Sequence, residues 1–160
     1  MILFASGRTD IPAFYSKWFI NRVKAGFVDV RNPFNQNLVS RINFSDVDLI
    51  MFCSKNPLPM IDKLKMLKVP VLFHVTITPY SKDVEPNIPD KRLTIEGVKK
   101  LSLVLGIDNV VLRYDPIFLS DKYNVDYHIR AFDKLCKNLN GYVNKIIVSF
   151  MDEYKNVRIN

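Results

Sequence analysis

Apolar residues gather in short, largely continuous runs at positions 2–5, 49–53, 69–77, 110–112 and 146–151. Runs that are continuous rather than alternating fit strands buried on both faces of a parallel sheet. Between the runs the spacing becomes helical. Ile11, Phe14, Tyr15, Trp18, Phe19, Arg22 and Val23 follow the 3.6-residue period, with Asp10 as N-cap, Pro12 in the first turn and Gly26 as the stop. A second helix is predicted over 58–67, with Ile61, Leu64 and Leu67 inward, Lys63, Lys65 and Lys68 outward, and Asn56-Pro57 marking its start. Ile95, Val98, Leu101 and Leu105 carry a third that ends at Gly106; Val125, Ile129, Phe132, Leu135 and Leu139 carry a fourth that ends at Gly141.

One insertion interrupts the alternation: positions 27–31 and 38–42 read as two short strands around Asn35-Gln36-Asn37, a β-hairpin after the first helix. Residues 79–89, with Pro79, Pro86 and Pro89, form a loop. Five strands with four intervening helices predict an α/β protein whose parallel strands are joined by right-handed crossovers. A doubly wound open sheet is the generic form at this length, since a full (β/α) barrel takes about 250 residues. The polar residues at the strand ends favour the alternative, a partial (β/α) barrel of about five parallel strands. No convincing helix follows the last strand. The single α/β domain over 1–160 is therefore expected to be the N-terminal portion of a longer architecture, or a sheet completed by self-association or another partner.

Composition narrows the class without choosing a function. The 160 residues are 48% hydrophobic and 24% charged, with nine prolines and five glycines, which suits one globular domain and excludes collagen, coiled coil and disorder. A formal charge of +7 admits nucleic acid, anionic lipid or phosphorylated small molecules as partners. Cys53 and Cys136 define no disulfide framework and are read as reduced thiols. Arg8 and Asp10 follow the apolar start at once, which argues against a signal peptide, and no apolar run approaches the roughly 18 residues of a membrane span. A cytoplasmic protein with no membrane partner is expected. Phosphate-loop, dinucleotide-fold, zinc-protease, nucleophile-elbow and C-x-x-C signatures are all absent from the sequence.

The candidate chemistry lies where strands end. The five runs lead into Ser6-Gly7-Arg8-Thr9-Asp10, Ser54-Lys55-Asn56-Pro57, Thr76 with Thr78-Pro79-Tyr80, Arg113-Tyr114-Asp115-Pro116, and Ser149 with Asp152 and Glu153. In a parallel α/β sheet these carboxyl ends share one edge, where ligands bind. Arg-x-Asp occurs twice, at Arg8 and Asp10 and at Arg113 and Asp115. Residues two apart in an extended segment point the same way, so each arginine is expected to be held by its own aspartate while its fork faces a carboxylate or phosphate. A second echo, Arg31-Asn32-Pro33-Phe34 and Lys55-Asn56-Pro57-Leu58, turns the chain and leaves an Asn amide to cap or bind. The predicted pocket takes positive charge from Arg8, Lys55 and Arg113, and hydrogen bonds from Asn56, Thr76, Thr78 and Tyr80. Asp10 and Asp115 orient the arginines or move a proton.

Other residues carry blander readings. His74, mid-strand, reads as a satisfied core histidine, His128 as structural, and Cys53 as a small core residue. Phe14, Tyr15, Trp18 and Phe19 read as core rather than a stacking platform, and Lys99, Lys100, Lys134, Lys137 and Lys145 as solvated surface. No metal spacing is present, and no nucleophile has an adjacent base, so no reaction is assigned. The expected partner is an anionic small molecule. The rival is a non-catalytic nucleic-acid-binding or interaction module whose affinity falls with salt; a third reading is an inactive truncated remnant.

The chain also resembles a bacterial family called domain of unknown function 1848. The resemblance rests on 8–15 (Arg-Thr-Asp-Ile-Pro-Ala-Phe-Tyr), 30–35 (Val-Arg-Asn-Pro-Phe-Asn), Lys55-Asn56-Pro57, 76–80 (Thr-Ile-Thr-Pro-Tyr), 83–87 (Asp-Val-Glu-Pro-Asn), 113–117 (Arg-Tyr-Asp-Pro-Ile) and Val148-Ser149-Phe150, and covers essentially the whole chain. It implies longer relatives whose C-terminal part carries a cysteine cluster suited to an iron–sulfur centre, and a likeness to radical S-adenosylmethionine enzymes such as spore photoproduct lyase. Cys53 and Cys136 match no cluster position, so no cofactor is expected in this chain.

Overall fold

The computed structural model describes residues 1–152. In chain order the elements are β1 (Ile2–Phe4), α1 (Ile11–Phe14), α2 (Ser16–Ala25), β2 (Phe27–Arg31), β3 (Val39–Asn43) and β4 (Leu49–Ser54). There follow α3 (Leu58–Ile61), β5 (Val71–Thr76), α4 (Lys91–Leu105), β6 (Val110–Ile117), α5 (Val125–Leu139) and β7 (Lys145–Phe150). Five strands form one parallel sheet in the order β1-β4-β5-β6-β7, and β2 pairs antiparallel with β3 as a separate hairpin.

Strand order along the sheet equals order along the chain, so there is no switch point of the kind a doubly wound sheet requires. Crossovers of one hand that advance in one direction place every helix on the same side. The core agrees. Ile50 and Phe52 of β4, Phe73 and Val75 of β5, and Val110 and Leu112 of β6 share one face in register and pack with Phe19, Met60, Val98, Leu101, Leu135 and Leu139 from the helices. The alternate residues, Met51, Cys53, Leu72, His74, Thr76, Val111 and Arg113, take no part in that cluster. Among the described residues they form a helix-free face, the side that lines the interior in a (β/α) barrel. This is the arrangement of a partial barrel, with the hairpin inserted after α2. No helix among the described residues is long and apolar enough to cross a membrane.

Several local predictions shift. The single helix predicted from Ile11 to Val23 is two, because Tyr15 leaves helical geometry at φ −127° and ψ 19°. Gly26, at φ 83°, ends α2 as predicted; a left-handed residue there carries no side-chain penalty when it is glycine. The helix predicted over 58–67 is one turn, α3, followed by a separate 3-10 turn at Leu64–Met66. Helix α4 starts a turn earlier than Ile95 because the Asp90 carboxylate caps the Arg92 amide. Strand β6 runs to Ile117 rather than Leu112, so Arg113 and Asp115 lie within it. The aromatic stripe is not core: Phe19 is buried, whereas Phe14, Tyr15 and Trp18 are 77%, 48% and 45% exposed. Only one narrow side of α2 reaches the sheet.

Candidate functional site

The polar residues of the helix-free face centre on β6. Arg113 and Asp115 are two apart in a strand and point the same way. The Nε of Arg113 donates to both carboxylate oxygens of Asp115 at 3.1 Å, and Nη2 donates to Oδ2. The bond to Asp115 raises the arginine pKa further above its ordinary value, so the charge is permanent. Among the described residues the remaining terminal nitrogen, Nη1, faces only the Cys53 sulfur, at 3.9 Å, and that sulfur lies 3.9 Å from Thr76 Oγ1. Cys53, Thr76, Arg113 and Asp115 thus come together from three adjacent strands.

His74 sits in register between Cys53 and Val111 on the same face. It is buried, as a core histidine should be, but its Nδ1 has no hydrogen-bond partner among the described residues. Burial lowers its pKa and the Arg113 charge adds to that, against the opposing pull of Asp115. His128 is fully bonded. Its Nε2 lies 3.0 Å from the Phe118 carbonyl, which can only accept, so Nδ1 accepts from the Tyr114 hydroxyl at 3.0 Å.

A second cluster occupies the carboxyl edge, around a residue that the strand-end reading missed. Glu85, in the loop after β5, accepts from Lys55 Nζ, from Lys91 Nζ at 2.7 Å and from Thr78 Oγ1 at 2.7 Å. Burial works to raise the Glu85 carboxyl, but the hydrogen bonds from Lys55, Lys91 and Thr78 outweigh it and hold its pKa below the ordinary value. Lys55 is therefore already paired, and the space beside it, about 10 Å³, is too small for a ligand. The signal was the segment at 83–87, which a search for strand ends passes over.

Asp10 does not hold Arg8. Its Oδ1 accepts from the Ala13 amide at 2.9 Å as the cap of α1, and its Oδ2 accepts from Ser54 Oγ at 2.9 Å and the Lys55 amide at 3.1 Å. Residues 5–9 are turn and bend rather than strand, so the two-residue period fails there. Arg8 turns instead to the hairpin, donating from Nη1 to the Arg31 carbonyl at 2.5 Å. The three cations expected in one mouth thus have three separate partners: a carbonyl of the hairpin, Glu85 and Asp115.

Tyr80 is not free for a ligand either. It is buried against Phe118, and its hydroxyl donates to the Pro116 carbonyl at 2.8 Å and accepts from the Phe118 amide at 2.9 Å. The Asn echo divides: Asn32 Oδ1 accepts from the Phe34 amide at 2.8 Å as a turn cap, whereas the buried Oδ1 of Asn56 has no partner among the described residues. Ser149 and Asp152 are exposed, and Glu153 lies outside the described residues.

Cys53 stands on the helix-free face and Cys136 on α5, across the sheet. Among the described residues no group of three or more His, Cys, Asp or Glu is placed to hold a metal ion.

Among protein families, the model described as Domain of unknown function (DUF1848) matches residues 2–160. No curated protein and no solved structure matches the chain.

Proposed function

The chain belongs to that family of unknown function, and we propose that it binds a small anion on the helix-free face at the carboxyl edge of the sheet, with Arg113 as the anchoring cation. One observation carries the reading. Asp115 locks Nε and Nη2 of Arg113 while Nη1 has a thiol, not an oxygen, before it. A guanidinium pre-oriented in this way accepts a carboxylate or phosphate oxygen without first losing side-chain freedom. Thr76 Oγ1 stands within reach of the same sulfur and supplies a hydroxyl for a second ligand oxygen. Lys55 and Lys91 flank the edge and share the single carboxylate of Glu85, which leaves one net positive charge there.

Thermal unfolding with inorganic phosphate and citrate as probes tests this, with chloride at matched ionic strength as the control. Wild-type protein should be stabilised saturably, since a ligand at about 100 times its Kd adds about 2.7 kcal/mol. Arg113→Ala should strongly reduce the effect and Arg113→Lys should keep more of it. Equal stabilisation of wild type and Arg113→Ala would remove Arg113 from the role.

A further inference from the structure

The hairpin stands apart from the main sheet, and with β1 and α2 it walls a groove of about 600 Å³. That lies within the roughly 300–1,000 Å³ typical of small-molecule sites. Three guanidinium groups line it, those of Arg8, Arg22 and Arg31. None of the three forms an ion pair among the described residues; the arginines that do so are Arg41, Arg92 and Arg113. The one acid in the wall, Asp29, is already bound on both oxygens by Arg41 at 2.8 Å. Arg8 and Arg31 each donate one hydrogen bond to a backbone carbonyl, at 2.5 and 2.6 Å, which positions them without cancelling their charge.

Two half-exposed aromatic rings, Trp18 and Phe4, line the same groove. Unpaired guanidinium groups beside aromatic faces suit a ligand that is anionic at one end and flat at the other. Guanidinium forks match phosphate oxygens, and rings stack or meet edge to face. We propose that this groove is a second binding site, separate from Arg113, for a phosphomonoester of a planar ring, a ligand of the nucleoside monophosphate class. Arg8, Arg22 and Arg31 take the phosphate, and Trp18 and Phe4 take the ring. The groove's volume, about 600 Å³, is on the scale of a single nucleotide rather than a polynucleotide.

Trp18 is the only tryptophan in the chain, so its fluorescence reports on this groove alone. Adenosine monophosphate is titrated, with adenosine and inorganic phosphate as separate arms and an oligonucleotide of deoxythymidine as the fourth. A saturable change with the monophosphate is expected, with each fragment binding at least roughly ten-fold more weakly, since hydrogen bonds to charged groups are worth that much. Arg22→Ala should weaken binding by a similar factor with its circular dichroism unchanged; if that variant does not fold, exposed Arg31→Gln carries the same test. No saturable change, or wild-type affinity in a folded arginine variant, would overturn the proposal. An oligonucleotide that binds more tightly than the monophosphate, with affinity falling linearly in log salt, would also overturn it, in favour of a nucleic-acid interface.

Discussion

The Asp115 carboxylate receives Nε and Nη2 of Arg113 from two positions earlier in β6, and both side chains lie on the face that no helix covers. The carboxylate is nearly buried and the guanidinium about one-third exposed, at 10% and 32%. A double-mutant cycle with Arg113→Ala and Asp115→Ala should give a coupling of about 1 kcal/mol, between the values for exposed and buried pairs. Asp115→Asn should also weaken phosphate-induced stabilisation, because an amide no longer holds the fork. A coupling near zero would mean that Asp115 does not orient the arginine.

Glu85 ties the loop after β5 to two lysines and Thr78. Its folded pKa lies below the ordinary 4.5, so the unfolded chain takes up a proton first as pH falls. The stabilisation is present above pH 4.5 and disappears as pH drops through the lower folded value. Glu85→Gln should therefore cost about 1–3 kcal/mol at pH 7, with the difference from wild type shrinking below that range in urea melts. A deficit that does not change with pH would mean that packing, not charge, fixes the loop.

His74 titrates in a different window. Burial and Arg113 depress its pKa below 6.5, so as pH falls past that value the unfolded chain is protonated before the folded one. Stability should decline from pH 6.5 downwards, by at most about 1.4 kcal/mol per pH unit for one proton. His74→Gln should flatten this slope. Parallel curves for the two proteins between pH 7 and 5 would count against it.

Asp10 is a structural anchor with three donors on one carboxylate. Asp10→Ala should lower stability by about 1–2 kcal/mol for the cap alone. Asp10→Asn, which keeps an acceptor for the Ala13 amide, should cost less. The denaturation midpoints of the two variants, compared with wild type, check the ordering.

The same Arg-x-Asp spelling occurs twice in the sequence, and only one copy became a pair. At 113–115 the chain is extended, so the two-residue period brings the side chains together; at 8–10 it is turning, and the carboxylate finds amides instead. Local pattern was enough for the βα alternation, the hairpin and the helix stops, because apolar period and glycine geometry act over a few residues. It was also enough to mark the strand ends as polar.

Partnership was decided by the third dimension. Lys55 meets Glu85 and Tyr80 meets the Pro116 carbonyl across 30 and 36 residues, and no period links positions so far apart. Which face of each strand stays free of helices followed from the strand order, because sequential crossovers of one hand put all the helices on the other side. Cys53 and His74, read as core from their apolar neighbours, thereby came to share a face with Arg113.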